Sequence, residues 1–142
     1  MQAAAPDSHV DALQRIRTLL GPAGCIDAPE RTARFLTDFR GLYRGATPFV
    51  ACPATTTEVA QVLALCNAAR IAVVPQGGNT SYCGGATPSE RGDQLVLSLH
   101  RLNRIREVDA ANFSLIAEAG CVLMHVQAAA LAVDRLFPLS LG

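Results

Sequence analysis

Residues 75–85 read Pro75-Gln76-Gly77-Gly78-Asn79-Thr80-Ser81-Tyr82-Cys83-Gly84-Gly85, two glycine pairs bracketing a short polar stretch. The chemistry this pattern suits is anion binding. Glycine lets a ligand approach the main chain closely, and successive backbone N–H groups in such a turn converge on an anion. Asn79, Thr80 and Ser81 add short side-chain donors. The loop reads as a cradle for phosphate, and the diphosphate of a dinucleotide suits its length. A glycine-rich turn between strands is also often no more than a turn. The paired glycines with Asn-Thr-Ser between them favour the ligand.

Two common phosphate motifs are excluded. The loop is not Gly-x-Gly-x-x-Gly, so the ordinary dinucleotide fingerprint is absent. It is not a P-loop either, because no Lys-Ser or Lys-Thr follows it and the chain contains no lysine. Nucleoside triphosphate chemistry is therefore disfavoured, whereas a diphosphate is held by N–H groups and small polar side chains without a cation.

Other chemistry-bearing residues are sparse. His9, His100 and His125 are scattered, not at metal-ligand spacing, and read as ordinary surface histidines; no metal site is expected. Arg101, Arg104 and Arg106 form a small basic cluster offset by Glu107 and Asp109, read as a solvated face. Arg40 and Arg44 flank Gly41-Leu42-Tyr43 and read as surface charges of a loop. Glu118 has no paired acid or base near it in sequence and reads as structural. The five cysteines include no Cys-x-x-Cys pair, which argues against a disulfide framework or zinc and for reduced thiols in a cytoplasmic protein. Cys66 is expected in the core, and Cys83 is a bystander inside the loop.

The elements around the loop follow from periodicity. Ser8-His9-Val10-Asp11 resembles a capped helix start, with Leu13, Ile16 and Leu20 at helical spacing until Gly21-Pro22. A second helix is expected over Glu30 to Asp38. Residues 49–52 read as a strand stopping at Pro53. Thr55-Thr56-Thr57-Glu58 is a capping box, followed by an apolar face of Val59, Val62, Leu63 and Cys66. The strand at 71–74 comes next, with the loop at its exit, where ligands commonly sit in strand–helix–strand units. Strands at 95–99, 105–108 and 113–118 complete a meander, and a helix is expected from Val122 to Val133. The fold class expected is α+β: a helical segment at 1–47, then a domain from 48 to 142 built of a strand–helix–strand unit and a mixed-sheet meander.

Length and charge bound the function. The 142 residues are half apolar, with twelve basic and twelve acidic side chains, so one folded domain is expected and nucleic acid is not an expected partner. No apolar run is long enough to span a bilayer, and Met1 to Pro6 lacks the features of a secretory signal.

Four stretches, in order, resemble the FAD-binding domain of the vanillyl-alcohol-oxidase and para-cresol-methylhydroxylase superfamily. They are Pro53-Ala54-Thr55-Thr56-Thr57-Glu58-Val59, the loop Val74 to Gly85, Ala117-Glu118-Ala119-Gly120, and Leu136-Phe137-Pro138-Leu139-Ser140-Leu141-Gly142. Within that superfamily the chain is most similar to the flavoprotein D-2-hydroxyacid dehydrogenases. The resemblance covers most of the chain from about Phe35 onward. It implies that Gln76, Gly77, Gly78, Asn79 and Thr80 hold the FAD pyrophosphate through their backbone groups and that Ser81, Gly84 and Gly85 complete the turn. It further implies that Gly120 lets the chain pass close to the cofactor, and that Pro138, Leu139 and Gly142 lie along the flavin. Some members attach the flavin through a histidine after the first glycine pair; Asn79 stands there, so non-covalent FAD is implied.

Relatives of this type continue well beyond this length, into a further flavin segment and a substrate domain carrying the catalytic base and any metal. The chain is therefore expected to be an incomplete, amino-terminal part of an oxidoreductase. Such an enzyme oxidises a small 2-hydroxyacid, hands electrons to a quinone or an electron-transfer protein, and could be a homodimer. The alternatives are a non-catalytic remnant or half of a split protein, and a different flavin oxidase such as one acting on sugar alcohols.

Overall fold

The computed structural model describes residues 6–140. Leu141 and Gly142 lie outside them, and so does the Gly142 contact expected along the flavin. Helix α1 runs over Pro6–Leu20, strand β1 over Cys25–Ile26, helix α2 over Pro29–Leu36 and strand β2 over Val50–Ala51. Helix α3 spans Thr56–Ala69 and strand β3 Ala72–Gln76; β4 is Gln94–Ser98, β5 Ile105–Asp109, β6 Ser114–Ala117, and helix α4 Leu123–Leu131.

The first four strands make one sheet in the order β1-β2-β4-β3. Strand β4 runs parallel to both neighbours, with Val50 opposite Val96 and Gln76 opposite Ser98. The meander expected from the sequence therefore divides. Strand β4 belongs to the centre of the parallel sheet, whereas β5 and β6 form a separate antiparallel ribbon. Burial explains the division. Leu95, Val96, Leu97 and Ser98 are all essentially inaccessible, as a strand covered on both faces requires.

Alternation along β4 sorts the core into two layers. Leu95 and Leu97 face α1 and α3, meeting Ala12, Ile16, Val62 and Cys66. Val96 faces the other way, with Val50, Ile26 and Phe35 of α2. Cys66 is thus the core residue its helical position implied, and burial pushes its thiol up to about 11.

Helix boundaries differ from the sequence expectations in instructive ways. Helix α1 spans Pro6–Leu20, so Ser8 lies within it. Helix α2 stops at Leu36 because Thr37 is already extended. Strand β3 continues through Pro75 to Gln76, two residues beyond the expected end. The capping box holds: Thr55 Oγ1 accepts from the Glu58 N–H at 3.1 Å, and the Glu58 carboxylate reaches the Ala54 N–H at 2.6 Å. No helix among the described residues is long and apolar enough to cross a membrane.

Replacing Thr55 with Ala leaves the Glu58 N–H without its acceptor. The expected outcome is a loss of about 1 kcal/mol of stability, read as a lower urea midpoint at unchanged slope. An unchanged midpoint would show that the cap does not contribute.

Candidate functional site

The parallel pairing of β3 and β4 brings two polar residues, Gln76 and Ser98, side by side at the carboxyl ends of both strands. Each is buried, at 2% and 0% exposure, and each needs a partner. Gln76 Nε2 donates to the Phe35 carbonyl at 3.0 Å and to the Ala86 carbonyl at 2.8 Å. Both hydrogens of the amide are used. One bond closes the loop across its base, from residue 76 to residue 86. The other ties the loop to α2.

Asn79 repeats the device further along. Its backbone is left-handed, with φ 56°, which asparagine tolerates better than most residues. Its Nδ2 donates to the Arg34 and Thr37 carbonyls at 3.0 and 2.8 Å. These carbonyls belong to the end of α2, where orphan acceptors are expected. The side-chain amides of Gln76 and Asn79 are therefore turned into the protein, and the Gln76 carbonyl is taken by the Leu99 N–H at 2.9 Å.

What the loop presents outward is a row of N–H groups. Among the described residues, no protein acceptor takes the N–H of Gly77, Gly78, Asn79, Thr80 or Ser81. Neither Gly77 nor Gly78 has a positive φ. A Cβ at Gly77 would come no closer than 3.8 Å to any atom, and one at Gly78 no closer than 3.7 Å. Neither torsion nor packing requires glycine at these two positions. The space a side chain would fill is open. Gly84 differs: its φ is +69° and a Cβ there would strike the Tyr43 ring, so the protein's own backbone accounts for that glycine.

Across the loop lies the turn after β6. The Gly120 N–H donates to the Leu102 carbonyl at 2.8 Å. A Cβ on Gly120 would collide with the Leu99 carbonyl, so backbone packing within the chain requires this glycine. Glu118 fixes the turn. Its carboxylate, 3% exposed, accepts from the Arg104 N–H at 3.0 Å, from Arg104 Nη2 at 3.1 Å, and from Arg106 Nε and Nη2 at 3.2 and 3.0 Å. The Arg104 N–H, then the guanidiniums of Arg104 and Arg106, hold its pKa down to about 2. Arg104 and Arg106 are thus not simply a solvated face. They pair with a buried carboxylate 14 and 12 residues away.

Between the loop and the turn runs a cleft of about 500 Å³, lined on its two walls by Gly77, Gly78 and Thr80 and by Ala119 to Leu123. That size is ordinary for a cofactor site. At its mouth stand Phe39 and Tyr82, their rings tilted with centroids 5.9 Å apart, and Arg40 lies over the Tyr82 ring at 4.7 Å. Asp38 sets that corner. Its carboxylate accepts from the Tyr43 and Arg40 N–H groups at 2.6 and 3.0 Å, and these bonds, Tyr43's first, hold its pKa below the usual carboxylate value. His100 also lines the cleft, its Nδ1 2.9 Å from Ser98 Oγ.

Of the residues singled out from the sequence, Gly77, Gly78, Thr80 and Gly120 come together in the cleft walls. Gln76 and Asn79 shape it from behind. Ser81 braces the loop by accepting the Cys83 N–H on its hydroxyl at 3.3 Å, and Gly84 and Gly85 lie further along. Pro138 and Leu139 are elsewhere: the Leu139 carbonyl accepts from Gln127 Nε2 of α4 at 2.9 Å, and neither residue lines the cleft. The sequence reading missed Phe39, Tyr82 and His100. The signal for His100 was its place two residues past Ser98, at the exit of a buried strand.

The profile of the family described as FAD binding domain matches residues 47–142, more than half of the chain. The chain belongs to this family, and FAD is its cofactor. It is 35% identical over 132 residues to a probable mitochondrial D-2-hydroxyglutarate dehydrogenase of Oryza sativa subsp. indica, covering 93% of this chain and 23% of that protein. A D-2-hydroxyglutarate–pyruvate transhydrogenase of Saccharomyces cerevisiae is 36% identical over 114 residues, covering 80% of this chain and 23% of that one. The chain spans about a quarter of the length of the curated relatives it matches. Among solved structures, p-cresol methylhydroxylase superposes with a TM-score of 0.76 at 21% identity, over 92% of this chain and 26% of that one. An alkyldihydroxyacetonephosphate synthase gives 0.76 at 16% identity, over 87% and 27%. These two likenesses are of fold.

Two outcomes follow for the wall at 118–120. Glu118 is depressed on folding, so its stabilisation is fully present above its unfolded pKa near 4.5 and is lost as pH falls through about 2. Unfolding midpoints between pH 5 and pH 2 should therefore fall less steeply in Glu118→Gln than in the parent chain; parallel curves would contradict the assignment. Gly120→Ala should lower the unfolding temperature sharply, because the clash is with backbone carbonyls; a variant as stable as the parent would contradict the packing argument.

Proposed function

We propose that this chain is the diphosphate-holding part of a flavoprotein that oxidises a small D-2-hydroxyacid to the 2-oxoacid. The observation that carries the proposal is the row of unpartnered N–H groups above two glycines that the protein's own packing does not require. The names of the relatives support the substrate class, since both proteins cited act by name on D-2-hydroxyglutarate.

FAD, when bound, supplies the two-electron acceptor for the α-hydrogen of the hydroxyacid; the protein supplies binding, orientation and electrostatics. The N–H groups of residues 77–81, with the Thr80 hydroxyl, hold the diphosphate. Gln76 and Asn79 keep those groups in position through their amides, and the 118–120 turn closes the opposite side. Asn79 offers no nucleophilic atom and spends its amide on two carbonyls, which supports non-covalent attachment. The group that takes the hydroxyl proton and the acceptor that reoxidises the flavin, a quinone or an electron-transfer protein, belong to parts beyond this chain. The free cysteines support a reducing compartment.

A second reading, a binding half that is completed by another chain, is favoured by the exposure of Met124, Leu131, Leu136 and Leu139 on and after α4. A hydroxyacid panel assayed with the whole protein separates the two, since only the enzyme reduces a dye acceptor.

Substituting Gly77 or Gly78 with Ala should leave the unfolding temperature close to the parent's and weaken FAD binding at least about tenfold, the worth of one charge-assisted hydrogen bond. Quenching of flavin fluorescence reads the affinity. A colourless parent protein that takes up no added FAD would overturn the proposal, as would variants that bind FAD like the parent.

A further inference from the structure

We propose that His100 is a direct contact of the anionic diphosphate, donating from Nε2, and that it takes up a proton as the cofactor binds. The inference rests on the reading of the cleft as an FAD site and adds a residue, and a pH dependence, to it.

Position comes first. His100 follows Ser98 by two residues, and Ser98 pairs in register with Gln76, from which the glycine loop springs. The imidazole and the loop glycines consequently line one cleft. The ring is also held in place. Nδ1 is 2.9 Å from the hydroxyl of a fully buried serine, and the ring lies tilted against Phe35 with centroids 6.4 Å apart. Nε2 has no protein partner among the described residues, so the free edge of the ring is the one available to a ligand.

The serine makes a change of charge inexpensive. A hydroxyl both donates and accepts. It gives its proton to Nδ1 when the ring is neutral and accepts from Nδ1–H when the ring is charged. The Ser98–His100 bond is kept in both states. The charged groups facing the ring are Arg34 on α2 and Arg101 just after β4, both cationic; Cys121, in the opposite wall, and Tyr82 of the loop are the other titratable groups lining the cleft. Burial first, then these two guanidiniums, push the imidazole below its ordinary value. Both effects favour the neutral ring. A diphosphate reverses the sign of the local field and favours the charged ring. A group whose pKa is raised by binding strengthens that binding fully below its free value, and the gain is lost as pH rises through the bound value.

The test titrates the three histidine rings of this chain by proton NMR from pH 5 to 8.5 at constant salt, alone and with saturating FAD. His100→Gln assigns the His100 signal. We expect the His100 midpoint to rise by about one pH unit or more with FAD, with His9 and His125 unmoved. FAD affinity should then fall severalfold from pH 6 to pH 8, and H100Q should flatten that slope. A midpoint that stays or falls while FAD is bound overturns the inference, and so does an H100Q slope equal to the parent's. The titration of the parent chain decides the matter even if H100Q folds poorly. Absence of FAD binding at any pH overturns the underlying reading of the cleft and this inference with it. Inorganic pyrophosphate is the second probe: the same rise with pyrophosphate supports a contact to the diphosphate. A rise with FAD alone places the contact elsewhere on the cofactor and overturns the assignment.

Discussion

The carboxamide of Gln76 is the joint on which the site depends. It lies at the carboxyl end of β3, out of reach of water, and its two hydrogens go to carbonyls that no other group satisfies in the same way. A buried carbonyl without a donor costs on the order of 1–3 kcal/mol. The amide therefore holds three pieces together: the strand, the end of α2 through Phe35, and the far side of the glycine loop through Ala86. Asn79 adds a second joint to the same helix end. With both in place, a loop rich in glycine is tied across its base and twice to the end of α2. Preorganisation of this kind lowers the entropic cost of binding.

The cleft has two walls built on opposite principles. The loop wall is neutral, with unpartnered N–H groups at residues 77–81 and the amides of Gln76 and Asn79 turned in. The facing wall is set by charge, through Glu118 and the two arginines that grip it. Glycine serves a different purpose in each. Gly120 is needed because Leu99 backbone lies where its Cβ would be, whereas Gly77 and Gly78 have open space in front of them. Residues of one type, in one site, thus answer to different constraints, and only the second sort reports on the ligand.

Much of this was legible in the sequence where the signal is local. The loop announced itself through residue type and spacing, and the Thr55 box through a four-residue pattern whose Thr55–Glu58 bond the structure shows, with the Glu58 carboxylate reaching one residue further back, to the Ala54 N–H. The α+β class and the strand–helix–strand unit followed from periodicity. What the sequence could not show is pairing at a distance. Nothing in residues 94–98 says that this strand inserts between β2 and β3 rather than joining the strands after it. Nothing near Glu118 says that Arg104 and Arg106 reach it across the ribbon. The aim of an amide is equally invisible: Gln76 and Asn79 read as ligand-binding residues, and their side chains are bound by the protein. The flavin-side roles of Pro138 and Leu139 rest on resemblance alone; in the structure the Leu139 carbonyl accepts from Gln127 of α4, and neither residue lines the cleft.

The central claim is that the N–H groups of residues 77–81 hold the diphosphate of FAD. The most direct measurement is the amide spectrum of the 15N-labelled chain titrated with FAD. The account predicts large, saturable shifts of the Gly77, Gly78, Asn79, Thr80 and Ser81 signals, reproduced in part by inorganic pyrophosphate. Binding of FAD that leaves these five amides unmoved, with the shifts gathered elsewhere on the chain, would contradict it.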